Sequence, residues 1–150
     1  MGLFKRRPTG DPAPPTESGQ THDPWSRVAE LQLRPWESLT EPERQLVAIG
    51  ELRTEVNNGG FHQYFFNSAG DAAPDAIAAA TSLELTPLVD LVERAMALFD
   101  GRYTADRSAR QDLLEELDIT GSFEALDTEF YRLEAALDLD TSMLVLAKRP

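Results

Sequence analysis

The sequence predicts an all-α fold, a single compact domain of seven to eight short helices. Three observations predict it. From Asp23 onward apolar residues recur at helical spacing, helix-start and helix-stop residues punctuate them, and no stretch alternates long enough to make a persuasive strand. The 150 residues fit one domain, read as residues 23–150 behind a Pro-rich tail, residues 1–22. That tail holds Pro8, Pro12, Pro14 and Pro15 among Thr, Ser, Gly and Gln. It buries too little apolar surface to offset its ordering entropy, so disorder is expected there.

Asp23-Pro24 reads as a cap followed by a first-turn proline, and Trp25, Val28, Ala29 and Leu31 give a short apolar face that breaks near Pro35. Thr40-Glu41-Pro42-Glu43 has the spacing of a capping box. The helix it opens carries Leu46, Ile49, Leu52 and Val56 on one face and is expected to stop at Asn58-Gly59. A short aromatic helix should follow from about Phe61 to Ser68. Asp71 is expected to open the next helix, with Pro74 in its first turn, through an alanine-rich stretch to about Ser82. Thr86-Pro87 should cap a helix whose core face is Leu88, Leu91, Val92, Ala95, Leu98 and Phe99, ended by Gly101. Leu113, Leu114 and Leu117 mark a helix from about Asp106, and Thr120-Gly121-Ser122 marks a turn. Leu126, Phe130, Leu133 and Leu137 mark a long helix from about Phe123, and Met143 to Ala147 a last short one.

The chain has no cysteine, which excludes disulfides and thiolate chemistry. No apolar run reaches the roughly 18 residues that span a bilayer, and the N-terminus matches neither a secretory signal nor a myristoylation pattern. A cytoplasmic location is expected, without stable membrane association, since Leu3 and Phe4 beside three cations are one weak signal where anchoring takes two. The formal net charge is −12, and because residues 1–22 carry a net of +1, the remainder carries −13. Such a body disfavours nucleic acid as a direct partner and favours a basic protein.

The densest stretch runs from Asn57 to Gly70: Asn57, Asn58, Gly59, Gly60, Phe61, His62, Gln63, Tyr64, Phe65, Phe66, Asn67, Ser68, Ala69 and Gly70. The glycines supply the backbone freedom that a helix end needs, the rings need burial, and the amides then need partners. Asn57, His62, Gln63 and Asn67 can either satisfy buried backbone or line a ligand pocket. Glu51 and Glu55 form an i, i+4 pair, and Glu55 stands where it could hold backbone donors at Asn58-Gly59. Two isolated histidines make no metal signature, and no phosphate loop, nucleophile elbow or zinc-helix motif is present. No cofactor, metal or catalytic residue is therefore expected.

Residues 112–140 concentrate carboxylates, with Arg132 as their only cation. Glu124, Asp127, Glu134 and Asp138 fall at i, i+3, i+10 and i+14, a spacing that keeps them on one helical face, and Asp112, Glu115 and Glu116 from the preceding helix would extend it. Like charges at such spacing destabilise a helix by a few tenths of a kcal/mol per pair. A solvated outer face is one reading; a partner-binding face is the other.

Three segments resemble the bacterial DNA-mimic-protein family: Leu39 to Arg44, Glu55 to Phe61, and Gln63 to Asp71. Phe123 to Tyr131 is similar to its C-terminal pattern, so the resemblance spans roughly residues 36–147. It implies an all-α fold with Asn57, Asn58, Gly59, Gly60, Phe61, Gln63, Tyr64, Phe65 and Asn67 as the family motif. It further implies an acidic interaction protein that imitates DNA and binds a basic partner such as a transcription regulator. An enzyme or small-ligand binder using a polar pocket around the Asn-Gly-Gly-Phe motif is the alternative.

Overall fold

In the computed structural model, which describes residues 23–150, one long helix organises the rest. The expected tail, residues 1–22, lies outside the described residues. Helix α1 (Pro24–Gln32) starts on Asp23, whose side chain accepts the Trp25 N–H at 3.3 Å. A 3-10 turn at Trp36–Ser38 leads into α2 (Glu41–Phe66). There Glu43 accepts the Thr40 N–H at 2.9 Å, the return half of the anticipated capping box. That bond, seconded by Arg34 and Arg27, holds the Glu43 carboxyl below its usual range.

The expected stop at Asn58-Gly59 is instead a kink. Gly59 (φ −157°, ψ 21°) and Gly60 (φ 74°, ψ −177°) leave helical geometry, and the helix resumes through Phe66. The separate aromatic helix anticipated from Phe61 is the second arm of this bent one. A 3-10 segment, Ser68–Ala72, then enters α3 (Ala73–Ser82). Asp71 therefore sits in that turn and does not open α3. Helix α4 (Thr86–Ala97) has Leu85 at its N-cap position, so Thr86 is already helical and does not cap. Asp100 and Gly101, at φ 53° and 72°, turn the chain after it. Helix α5 (Arg107–Leu117) is capped by Asp106, which accepts the Ala109 N–H at 2.7 Å. A 3-10 turn at Thr120–Phe123 precedes α6 (Glu124–Ala136) and α7 (Leu139–Ala147). The described residues contain no strand.

Helix α2 contacts α1, α3, α5, α6 and α7. Every residue from Gln45 to Gly50 is buried, so this stretch of its first arm is wrapped on all sides and not on one face as its periodicity suggested. Four fully buried alanines of α3 (Ala73, Ala76, Ala79, Ala80) let that helix approach α2 closely. The second arm inserts Phe61, Tyr64 and Phe65 among Phe99, Phe123 and Phe130. Ring centroids stand 5.0 Å apart for Phe65–Phe99, 5.7 Å for Phe65–Phe123 and 5.9 Å for Phe61–Phe130. Each such pair contributes about 0.5–1.5 kcal/mol beyond its buried area.

Replacing either Phe65 or Phe130 with Ala is expected to cost about 3–5 kcal/mol, a large share of a marginal stability. Chemical denaturation measures this, and unchanged midpoints in both variants would refute the placement of the aromatic core.

Candidate functional site

The kink has a local logic. Gly60 occupies a backbone region that is essentially restricted to glycine. A Cβ there would also lie 2.4 Å from Asp127 Oδ2. Asp127, from α6, comes this close because its Oδ1 accepts the Phe61 N–H at 2.7 Å. It thus caps the start of the second arm from another helix, with its charge at the positive end of the helix dipole. Burial pushes its carboxyl above the ordinary value, and the Phe61 bond opposes that rise.

Glu55 spans the crook. Its Oε2 accepts the Gln63 amide at 2.8 Å and the Asn67 amide at 2.9 Å. Glu55 therefore holds side-chain amides; the backbone donor at the bend belongs to Asp127. A Cβ on Gly59 would sit 2.1 Å from Gln63 Oε1, so this glycine makes room for the amide. Asn57 donates to the Arg53 carbonyl at 2.8 Å, and Asn58 is exposed.

Arg110 closes the far end of the second arm. It is fully buried and donates to the carbonyls of Phe65 (2.6 Å), Asn67 (2.9 Å) and Thr104 (2.9 Å) and to Asp71 Oδ1 (2.6 Å). A cation at the negative end of the arm complements Asp127 at the positive end. Gly70 leaves the space, since a Cβ there would lie 3.0 Å from Arg110 Nε and 2.8 Å from the Tyr64 carbonyl. Tyr103 donates to the Gly70 carbonyl at 2.5 Å, and burial pushes its hydroxyl up to about 12. Sequence reasoning missed the role of Arg110. The signal was its register: Arg110, Leu114 and Leu117 stand at i, i+4 and i+7, which puts the arginine on the inward side of α5.

The four polar side chains of the alternative pocket reading do not converge on one cavity. Gln63 and Asn67 turn to Glu55, Asn57 turns back on its own helix, and His62 lies elsewhere. His62 stacks on Phe66 with centroids 5.8 Å apart, at a cleft of about 490 Å³ that Gln111, Asp112, Leu114, Glu115, Asp118 and Thr120 also line. A second cavity of about 280 Å³ between α1 and α2 contains Glu51, whose carboxyl burial raises and which accepts the Gln32 amide at 3.1 Å. No cluster of three or more His, Cys, Asp or Glu suited to a metal ion occurs among the described residues.

The seven carboxylates expected on one acidic face divide into two groups. Asp127 is half-buried on Phe61. Glu134 is half-buried against Arg53, with Nε at 3.0 Å from Oε1. Asp138 lies beyond the end of α6, because Leu137 is extended, and it caps α7 by accepting the Thr141 N–H at 3.1 Å. Asp138 thus leaves the helical face that the spacing assumed. Asp138 is exposed, as are Asp112, Glu115, Glu116 and Glu124 on α5 and at the start of α6. Glu116 pairs with Arg102 at 2.8 Å, while Asp112, Glu115 and Glu124 form no ion pair among the described residues. Asp118, at the left-handed end of α5, is also exposed and unpaired in the same sense.

A family model described as DMP19-like protein matches residues 37–148, from the turn before α2 to the last residues of α7 and just beyond. The chain belongs to the DMP19-like protein family. The match takes in the kinked helix, Arg110, Asp127 and the whole acidic stretch, so the clamped bend lies inside the family region. No curated protein and no solved structure matches the chain. No described helix is long and apolar enough to cross a membrane.

Two outcomes test the clamp. Gly60→Ala is expected to lose at least about 1–3 kcal/mol from backbone strain alone. Asp127→Ala, which leaves the Phe61 N–H without its acceptor, is expected to cost about 1–3 kcal/mol, whereas Asp127→Asn retains an oxygen acceptor and should cost less. The raised carboxyl value fixes the sign of the pH effect. The native state holds the Asp127 proton to higher pH than the unfolded chain does, so this group's contribution is greatest below the unfolded value and declines as pH rises through the folded one. The stability of the wild type relative to Asp127→Asn should fall across that window; urea denaturation at stepped pH measures it, and a rise would contradict the assignment.

Proposed function

We propose that this chain is an acidic helical interaction protein whose α5 and the start of α6 imitate the phosphate array of DNA toward a basic, DNA-binding protein. The observation that carries the reading is the set of exposed carboxylates Asp112, Glu115, Asp118 and Glu124, which no described cation neutralises. Glu116, paired with Arg102, is not counted among them. Neighbouring carboxylates on a helix stand roughly 5–6 Å apart, against about 3.4 Å between charges along one DNA strand. The face is thus sparser than DNA and works by field as much as by register. Membership of a DNA-mimic family supports the same reading. Asp127, Glu134 and Asp138 serve it indirectly, by holding α6 and α7 in place. The partner is taken to be a transcription regulator or similar basic protein met in the cytoplasm. The pocket alternative has less support, because the amides it needs are already bonded to Glu55.

The test begins with capture of basic proteins from native lysate on the immobilised chain at low salt, with release at high salt. Asp112→Asn, Glu115→Gln, Asp118→Asn and Glu124→Gln in one variant should preserve the melting temperature. They should weaken the captured partner by roughly tenfold or more, mainly through a slower association rate and a flatter salt dependence. Glu84→Gln with Glu93→Gln, exposed on other elements, should change binding little. The partner's own duplex should displace the chain. Full binding by the folded four-site variant, or indifference to duplex, defeats the reading.

A further inference from the structure

We propose that the cleft between α5 and the second arm of α2 is the docking site of the chain's own basic segment, Phe4-Lys5-Arg6-Arg7. The inference rests on reading this face as a surface for cationic ligands, and it adds an occupant that regulates access. Two different features meet in the cleft. Phe66 is 44% exposed, unlike the other rings of the motif, and stacks on His62. Asp112, Glu115 and Asp118 stand around it with no ion pair among the described residues. An exposed ring face beside carboxylates suits a guanidinium, which can stack and form charged hydrogen bonds at once.

Two other cavities among the described residues lack this combination. The one between α1 and α2 spends Glu51 and Glu55 on the amides of Gln32, Gln63 and Asn67. The groove beside Trp36 already contains Arg34. At the α5 cleft Arg102 is paired with Glu116 and Arg110 is buried, while Arg107 donates to the Phe66 carbonyl and forms no ion pair with the cleft carboxylates.

The segment's chemistry is complementary. Lys5, Arg6 and Arg7 are consecutive, preceded by Leu3 and Phe4, in a chain whose remaining residues carry −13. About sixteen residues separate Arg7 from Asp23, a reach of up to ~50 Å when extended. A domain of this size has a radius of gyration of only ~14 Å, so the cleft is within range from any point on the surface. Tethering also supplies an effective concentration of order mM, enough for a weak site to be occupied. A basic partner would then have to displace the segment.

The absence of cysteine permits a clean test on the full chain. Thr9→Cys carries a single nitroxide, and amide signals are read by NMR without any partner. Broadening should concentrate at His62, Phe66 and residues 111–120. It should disappear with Lys5→Gln, Arg6→Gln and Arg7→Gln together, with Asp112→Asn, Glu115→Gln and Asp118→Asn together, and at high salt. Broadening that is absent, spread evenly or centred elsewhere overturns the proposal. So does broadening that appears only when labelled and isotope-enriched chains are mixed, because the occupant is then another copy. Partner binding lost with this broadening intact fails the mimic reading alone; partner binding intact without the broadening fails the docking alone.

Discussion

The bend in α2 is the constraint on which the rest of the molecule depends. A helix interrupted at Gly60 leaves backbone groups without their intrahelical partners, and each one left unpaired away from water costs about 1–3 kcal/mol. Two ionisable side chains from two helices answer this, and a third braces the bend. Asp127 takes the Phe61 N–H at the start of the second arm, Arg110 takes the Phe65 and Asn67 carbonyls at its end, and Glu55 ties the amides across the crook. The signs follow the helix dipole, anion at the amino end and cation at the carboxyl end. With both ends held, the arm points Phe61, Tyr64 and Phe65 into the space between α4, α6 and the turn at Phe123, and the core closes around them.

The same economy governs the other charges. Most arginines of the described residues are engaged by carboxylates. Arg53 lies between Glu134 and Asp140 and over the Trp25 ring at 5.0 Å, Arg27 and Arg34 share Glu43, and Arg94 joins Asp90 to Glu129. Among the fourteen basic residues only Lys5 and Lys148 are lysines. The planar fork of arginine suits these shared and bidentate contacts, which a lysine would reproduce poorly. The cations at α5 turn elsewhere, Arg110 inward to Asp71 and Arg107 to the Phe66 carbonyl, so that among its outer carboxylates only Glu116 is paired and Asp112, Glu115 and Asp118 keep their field. The acidic face is in part a consequence of where the structure consumes positive charge.

This division explains what was legible in the sequence. Helix positions were legible because periodicity and caps act over a few residues: the Thr40–Glu43 box, the Asp106 cap and the left-handed Gly101 all fall where local chemistry puts them. The glycine pair was legible as a break, but its outcome was not. Whether a helix ends or bends at Gly60 depends on a carboxylate 67 residues further along the chain. Arg110, Asp127 and Glu134 escaped for the same reason. A charge on a helical wheel looks solvated until the element packed against it is known, and only the register of Arg110 with Leu114 and Leu117 hinted otherwise. Counting carboxylates therefore overstated the α6 face and understated Asp118.

The residues of the clamped bend and those proposed to meet a partner are physically separate. Phe61, Tyr64, Phe65, Gly60 and Asp127 face inward: packing fixes the three rings, backbone geometry fixes Gly60, and the Phe61 hydrogen bond fixes Asp127. Asp112, Glu115 and Glu124 face outward and are fixed by none of these, and the left-handed backbone at Asp118 favours Asn or Gly equally, so another sequence could keep the bent helix and carry a different surface. Family membership accordingly supports the fold strongly, and the partner only through the charges that this particular chain displays. An interior carboxylate and an outer one also act on different quantities. Removing Asp127 leaves a donor unpaired and acts on stability. Removing Asp112 or Glu115 leaves the folded state nearly unchanged, because no described group depends on them, and acts on long-range attraction that salt screens over roughly 8–10 Å.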